Sequence, residues 1–141
     1  MKSILPTKGN RNISLYVSGP MNGCPNFNVD KFDQVSKGLR ERGYDVINPA
    51  ELDHNQNIKE NKDWVVTETN WRGFLAEDLH HVMDVKAVVV LPGWKHSKGA
   101  RLEILVGHIL GKKIYDSETN KTIQLDVGPF INLLTTFIKH K

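Results

Sequence analysis

Cysteine is scarce in this chain, and its one cysteine, Cys24, cannot form an intramolecular disulfide. No Cys/His spacing typical of a zinc site is present, so we predict no metal centre and no other cofactor. No apolar run is long enough to cross a bilayer, and the N-terminus lacks the apolar core of a signal peptide. Together these absences predict a cytoplasmic protein.

The chain also lacks a strong excess of either charge. Its 19 Lys and Arg residues stand against 16 Asp and Glu residues, which gives a formal net charge of +3. This balance suits a small anionic ligand, whereas the dense basic stripe needed for stable nucleic-acid binding is missing. The 141 residues, 39% of them hydrophobic, can bury the core of one domain. We predict a single domain over 1–141, with a loose leader at 1–11, a flap-like loop at 51–69 and a C-terminal helix at 128–140.

Short apolar runs alternate with segments of helical period. The runs predict strands at 13–17, 44–47 and 87–91, and a further strand entered at 112–115. The helical patterns lie at 28–42, 71–83 and 102–110, and Asn28 is predicted to be the N-cap of the first helix. A strand such as 87–91, which is apolar at every position, is typical of a parallel sheet covered on both faces. We therefore predict an α/β fold with three layers, Rossmann- or flavodoxin-like, with a parallel sheet of four to five strands and helices on both faces.

Glu103 lies one turn into the helix that follows the 87–91 strand. That helix carries an apolar stripe, which predicts its buried face and consists of Leu102, Leu105, Val106, Ile109 and Leu110. At about 100° per residue, Glu103 falls at the edge of this stripe and close to the preceding loop. Two interpretations stay open: an ordinary solvated Glu, or a carboxylate in a cleft beside the anion-binding N–H groups of the helix start.

Asp78 falls in the middle of the apolar stripe of the 71–83 helix. The stripe consists of Trp71, Phe74, Leu75, Leu79 and Val82. An inward-facing Asp must be hydrogen-bonded, paired or at a cleft, so a structural and a functional role are both open. The nearby Glu77, His80 and Asp84 are predicted to point outward, and the His80-His81 pair is predicted to be surface.

Two small-residue loops follow predicted strands. The first, 18–23, is a glycine turn that either lets a ligand approach the backbone or is an ordinary turn, and it is not the GxGxxG dinucleotide motif. The second contains Ser97, Gly99 and Arg101. Ligands of open α/β sheets bind at the carboxyl ends of strands, where both loops lie.

The chain resembles the nucleoside 2-deoxyribosyltransferase superfamily. The matching residues are Tyr16, Gly19, Asp78, Ser97, Gly99 and Glu103. The closest functional relatives that the resemblance suggests are the 2′-deoxynucleoside 5′-monophosphate N-glycosidases. The segments YVSGPMNG, EDLHHVMDVKAVVVLPGW and SKGARLEILVGHILGKKI also look like a compact, largely phage and bacterial branch of unknown function. The resemblance covers roughly 13–115.

This resemblance implies a role for each matching residue. Glu103 would be the nucleophile, Tyr16 would position it, and Asp78 would assist departure of the base. The expected phosphate-binding residues are Ser18, Gly19, Pro20, Met21, Asn22, Gly23, Ser97, Gly99 and Arg101. Since active sites in this superfamily are often completed by a neighbouring subunit, a homodimer or larger homo-oligomer is expected.

The function predicted on this basis is hydrolysis of the N-glycosidic bond of a (deoxy)nucleoside 5′-monophosphate, releasing free base and sugar 5-phosphate. Two alternatives stay open: a 2-deoxyribosyltransferase acting on unphosphorylated nucleosides, and a nucleotide-binding or sensing protein without turnover. The lysine-decarboxylase-like phosphoribohydrolases rank lower, because their Gly-Gly-x-Gly-Thr core is absent here. The sequence leaves open which base and which sugar are recognised.

Overall fold

The computed structural model describes Leu5, residues 13–52 and residues 68–125. In this part of the chain, four strands alternate with three helices. The strands are β1 (Ser14–Ser18), β2 (Asp45–Ile47), β3 (Ala87–Val90) and β4 (Lys113–Asp116). The helices are α1 (Val29–Glu41), α2 (Glu68–Asp84) and α3 (Lys98–Ile109). Short 3-10 turns lie at Pro25–Asn28, Pro49–Glu51 and Trp94–His96.

The four strands form one parallel sheet in the order β2-β1-β3-β4. β1 therefore pairs with β2 on one side and with β3 on the other, and Tyr16 lies opposite both Ile47 and Val88. After β1 the chain adds β2 on one side of it, and later adds β3 and β4 on the other side. The carboxyl ends of β1 and β3 thus form the topological switch point, where open α/β sheets bind their ligands.

Each face of the sheet carries its own core, which makes the fold three-layered. Leu15 and Val17 of β1 pack with Phe32 and Leu39 of α1 on one face. On the other face the alternate β1 side chain, Tyr16, packs with residues of α2 and α3, namely Val82, Ala100 and Ile104. The period of two along a strand separates these sets. The predicted three-layer α/β fold with a parallel sheet is confirmed.

Element boundaries differ slightly from the prediction. α2 begins at Glu68, so the end of the predicted loop 51–69 belongs to this helix, and Glu51 closes a 3-10 turn. Leu5, inside the predicted leader, is buried, and its N–H donates to the Asn120 carbonyl at 2.6 Å. The rest of the leader, loop residues 53–67 and the predicted helix 128–140 lie outside the described residues.

The buried face of α3 is not the predicted stripe. Leu102, Ile109 and Leu110 are 36%, 51% and 49% exposed, and Leu105 and Val106 are only half-buried. The residues that face the sheet are Ala100, Glu103, Ile104 and Gly107. A Cβ on Gly107 would lie 3.3 Å from Val88, so small residues on this face let the helix approach the strands closely. The buried face of α3 is therefore the one that carries the small residues, and Glu103 lies within this face rather than at its edge.

Candidate active site

Glu103 is a buried carboxylate, 5% exposed, on the side of α3 that faces the sheet. Tyr16 and Ser18 lie two residues apart on β1, so their side chains point to the same face. The Tyr16 Oη donates to Glu103 Oε2 at 2.5 Å, and the Ser18 Oγ donates to Oε1 at 2.8 Å. Each carboxylate oxygen thus accepts a hydroxyl hydrogen bond, which offsets part of the cost of burying the charge.

The environment of Tyr16 keeps its phenol protonated. Burial is the largest cause that raises the pKa of Tyr16 well above 10, followed by the negative charge of Glu103 and then that of Asp78. Deprotonating Tyr16 would place another negative charge in a site that already holds acidic groups. Tyr16 therefore stays a hydrogen-bond donor, and Asp78 is near enough to act on it electrostatically.

Asp78 lies on α2, which packs against α3. Its side chain is half-buried, and its Oδ1 atom is shielded from solvent. The inward orientation predicted for Asp78 thus holds for at least one oxygen. The neighbouring Glu77, His80 and Asp84 are exposed, as predicted.

The histidines on α2 form no buried cluster. His80 pairs with Asp84 across 3.9 Å, with both side chains at least 70% exposed. His81 lies beside His80, with ring centroids 6.4 Å apart. Within residues 13–52 and 68–125, no group of three or more His, Cys, Asp or Glu residues could hold a metal ion. None of the helices in the same ranges is long and apolar enough to cross a membrane.

The ends of β1 and β3 are held tightly together at the switch point. The Leu91 N–H donates to the Ser18 carbonyl at 2.8 Å. A Cβ on Gly19 would lie 2.7 Å from the Leu91 Cβ, closer than real Cβ contacts. The glycine that was predicted to let a ligand approach is thus required by the packing of Leu91 against the backbone.

Ser18 makes a contact that was not predicted. It was expected to bind phosphate with the rest of the 18–23 turn, but its hydroxyl is fully buried and donates to Glu103. The sequence did contain a signal for this, because Ser18 follows Tyr16 at the spacing of two that places both on one face of a strand. The Ser18 hydroxyl therefore belongs to the carboxylate site, and phosphate binding by Ser18 stays a prediction.

The remainder of the turn is organised by Asn28. Asn28 was predicted to cap α1 with its side chain, but it is left-handed (φ 61°), and its Nδ2 donates to the Pro20 carbonyl at 3.0 Å. Met21 packs partly against the core, which leaves its side chain less available to a ligand. Gly23 has φ 81°, a conformation that favours glycine. Ligand binding by Gly19, Pro20, Met21, Asn22 and Gly23 stays a prediction.

The loop before α3 places its predicted residues around the helix start. The Ser97 Oγ accepts from the Ala100 N–H at 3.2 Å and so caps the helix, while its own hydroxyl hydrogen can still be donated. A Cβ on Gly99 would lie 3.9 Å from Trp71 Nε1. Arg101 is exposed. Anion binding by Ser97, Gly99 and Arg101 stays a prediction, as does the oligomeric state.

A cavity of about 240 Å³ beyond the end of β3 was not predicted from the sequence. Its lining comprises Leu91, Pro92, Gly93, Trp94, Lys95, His96, Asp116 and Glu118. The Lys95 Nζ lies over the Trp94 ring, 5.7 Å from its centroid. The position of Asp116 at the carboxyl end of β4 was the available signal, since polar residues at strand ends line ligand crevices.

The fold and the side chains around Glu103 define an α/β domain with a hydroxyl-held carboxylate near the switch point of a parallel sheet. Residues 13–116 match the family model described as "Domain of unknown function (DUF4406)", so the chain belongs to that family. A search of curated proteins finds no match.

Among solved structures, a 2-deoxyribosyltransferase from the psychrotolerant bacterium Bacillus psychrosaccharolyticus is similar, with 19% sequence identity and a TM-score of 0.49. The alignment covers 73% of this chain and 70% of that chain.

Proposed function

We propose that this protein hydrolyses the N-glycosidic bond of a (deoxy)nucleoside 5′-monophosphate, with Glu103 as the nucleophile. The observation that carries the proposal is the buried carboxylate whose two oxygens accept hydrogen bonds from Tyr16 and Ser18. Burying a carboxylate is costly even when hydroxyl groups donate to it, and apolar side chains are the usual occupants of such buried positions. The presence of an acidic group there is therefore better explained by chemistry than by stability.

Two carboxyl groups can supply what this reaction needs. In the first step, a Glu103 oxygen attacks C1′ while the C1′–N bond breaks, and its electron pair passes to the base nitrogen. The base takes a proton from Asp78, which acts as the general acid. In the second step, water attacks C1′ and gives a proton back to Asp78, while the C1′–O bond electrons return to Glu103.

The hydroxyl donors suit the nucleophile that this mechanism requires. Hydrogen bonds to the ionised form favour a deprotonated carboxylate, which is the form that attacks. The high pKa of Tyr16 keeps its proton in place, so Tyr16 donates to Glu103 across the working pH range. The charge of Asp78 also acts on Tyr16, which supports a site that contains both carboxyl groups.

The expected substrate is anionic. The first turn of α3 presents backbone N–H groups beside Ser97, and such helix starts bind phosphate groups. Arg101 is exposed on the same turn and can approach a phosphate. Together with the net charge of +3, these features favour a nucleoside monophosphate over an uncharged nucleoside.

The test is base release by Glu103→Gln and Glu103→Ala from a panel of ribo- and deoxynucleoside 5′-monophosphates. We expect losses of about 10³-fold or more, because removal of a nucleophile abolishes the covalent route. Glu41→Gln changes an exposed glutamate on the opposite layer and is the matched control. Wild-type base release by either Glu103 variant would overturn the proposal. Release that occurs only when an acceptor base is added would instead indicate a transferase.

A further inference from the structure

We infer that Ser18 is a positioning residue for Glu103, an assignment that rests on the proposed function. Its hydroxyl holds Oε1 while Tyr16 holds Oε2, and this two-point attachment fixes the plane of the carboxylate. The superfamily resemblance associated Ser18 with phosphate and gave a positioning role only to Tyr16.

The position of the Ser18 hydroxyl is itself fixed. Ser18 is the last residue of β1 and is fully buried. It lies opposite Val90 in β3, and its carbonyl accepts from the Leu91 N–H at 2.8 Å. The sheet therefore holds the backbone that carries this hydroxyl, and full burial limits rotation of the side chain about χ1.

The two hydroxyl groups are not redundant. The last torsion of a glutamate side chain is broad, so one hydrogen bond leaves the carboxylate free to turn about it. A second donor on the other oxygen removes that freedom. Without Ser18, the carboxylate would lose the hydrogen bond from this hydroxyl in a buried site, which disfavours the ionised form. Loss of the hydroxyl should therefore affect both the orientation and the protonation of Glu103.

The chain offers a matched control for this hydroxyl. Ser36 on α1 is also fully buried, but its Oγ has no hydrogen-bond partner among the described residues. Ser36 packs on the opposite side of the sheet from Glu103, because α1 belongs to the other layer. Removing the Ser36 hydroxyl creates a comparable small void without touching the carboxylate.

The experiment compares Ser18→Ala, Ser18→Thr and Ser36→Ala, measuring kcat/KM for base release as a function of pH. For Ser18→Ala we expect a loss of about 10–100-fold, the worth of one hydrogen bond to a charged group. We also expect the acid limb of its profile to move by about one unit to higher pH. Ser18→Thr keeps a hydroxyl and should show the acid limb of the wild type. Ser36→Ala should match the kcat/KM of the wild type at every pH.

A purely structural Ser18 would give a different result. If Ser18→Ala keeps the wild-type kcat/KM and acid limb while Glu103→Gln is inactive, the positioning role is wrong and the proposed function stands. If the wild type releases no base from any nucleotide, the proposed function fails. The positioning role is then tested by the titration of the Glu103 carboxyl carbon in ¹³C NMR spectra, assigned by its absence in Glu103→Gln. A Ser18→Ala titration at higher pH supports the role, and an unchanged titration overturns it.

Discussion

Tyr16 and Glu103 are 87 residues apart in the sequence, yet the Tyr16 Oη donates to Glu103 Oε2 at 2.5 Å. The contact links the middle of the first strand to the helix that follows the third strand. It exists because β1 and β3 are adjacent in the sheet, so α3 packs across the face on which Tyr16 points. A tyrosine and a glutamate that the sequence resemblance assigns to one site are thus neighbours in space.

Tyr16→Phe should change how stability depends on alkaline pH. Below about pH 10 the Tyr16 phenol is protonated in both the folded and the unfolded state. Above this pH the unfolded tyrosine loses its proton while the folded one, with its raised pKa, keeps it. The unfolded state then binds fewer protons, so the free energy of unfolding falls as pH rises. Tyr16→Phe lacks this titration. Its free energy of unfolding should therefore fall less steeply than that of the wild type, by up to about 1.4 kcal/mol per pH unit.

Urea unfolding of the wild type and of Tyr16→Phe, from about pH 9 to about pH 11, measures the two slopes. The phenylalanine variant should be the less stable protein at the lower pH, because it leaves a buried Glu103 oxygen without its donor. The difference in free energy of unfolding between the wild type and Tyr16→Phe should then narrow as pH rises. Equal slopes of the free energy of unfolding against pH for the two proteins would contradict the burial of a protonated phenol.

Asp78→Asn should slow release of ordinary bases by about 10²–10⁴-fold, the usual contribution of a general acid. An N7-methylated purine already carries a positive charge and leaves without a proton. Its release should be much less affected by the same variant. Asp84→Asn alters an exposed aspartate on the same helix and should leave both substrates unaffected. Equal losses with both substrates would indicate a structural role for Asp78.

Gly19→Ala should destabilise the protein by about 1–3 kcal/mol, since the new Cβ would overlap the Leu91 side chain. Gly38→Ala is the opposite case: Gly38 lies in α1 with nothing within 4 Å of its Cβ position. That variant should be stabilised by about 0.5–1 kcal/mol. Urea unfolding gives both values. A neutral Gly19→Ala would mean that the strand ends are less tightly packed.

The orientation of α3 predicts unequal costs for two isoleucines on one helix. Ile104→Ala should lose about 2–5 kcal/mol, because Ile104 is 1% exposed in the core. Ile109→Ala should cost under about 1 kcal/mol, because Ile109 is 51% exposed. Thermal or urea unfolding of the wild type and of each variant measures both changes. A larger cost for Ile109→Ala than for Ile104→Ala would instead support the helix orientation predicted from the leucine stripe.

The sequence predicted the fold well because its strands carry a strong signal. The apolar run ending at Leu91 is buried throughout, as expected for a parallel sheet. The helix orientation was harder, because α3 is apolar on two sides. Its leucines suggested one buried face, whereas close approach to the strands selects Ala100, Ile104 and Gly107 on another.

The site was only partly predictable for a similar reason. The inward position of Asp78 follows from helical period alone, since one residue falls among five apolar neighbours. The Ser18 contact with Glu103 depends on which strands are adjacent and how α3 is rotated, and neither is encoded locally. The capping position of Asn28 was correct, but its left-handed backbone redirects the amide to Pro20.

The most direct test of the central claim locates the covalent intermediate. The wild-type enzyme, turning over a deoxynucleoside 5′-monophosphate, is quenched in acid, digested and analysed by tandem mass spectrometry. The predicted result is a deoxyribosyl 5-phosphate adduct on the peptide that contains Glu103, assigned to that side chain and absent from Glu103→Gln. An adduct on another side chain, or an unmodified Glu103 peptide together with wild-type base release by Glu103→Gln, would contradict Glu103 as the nucleophile.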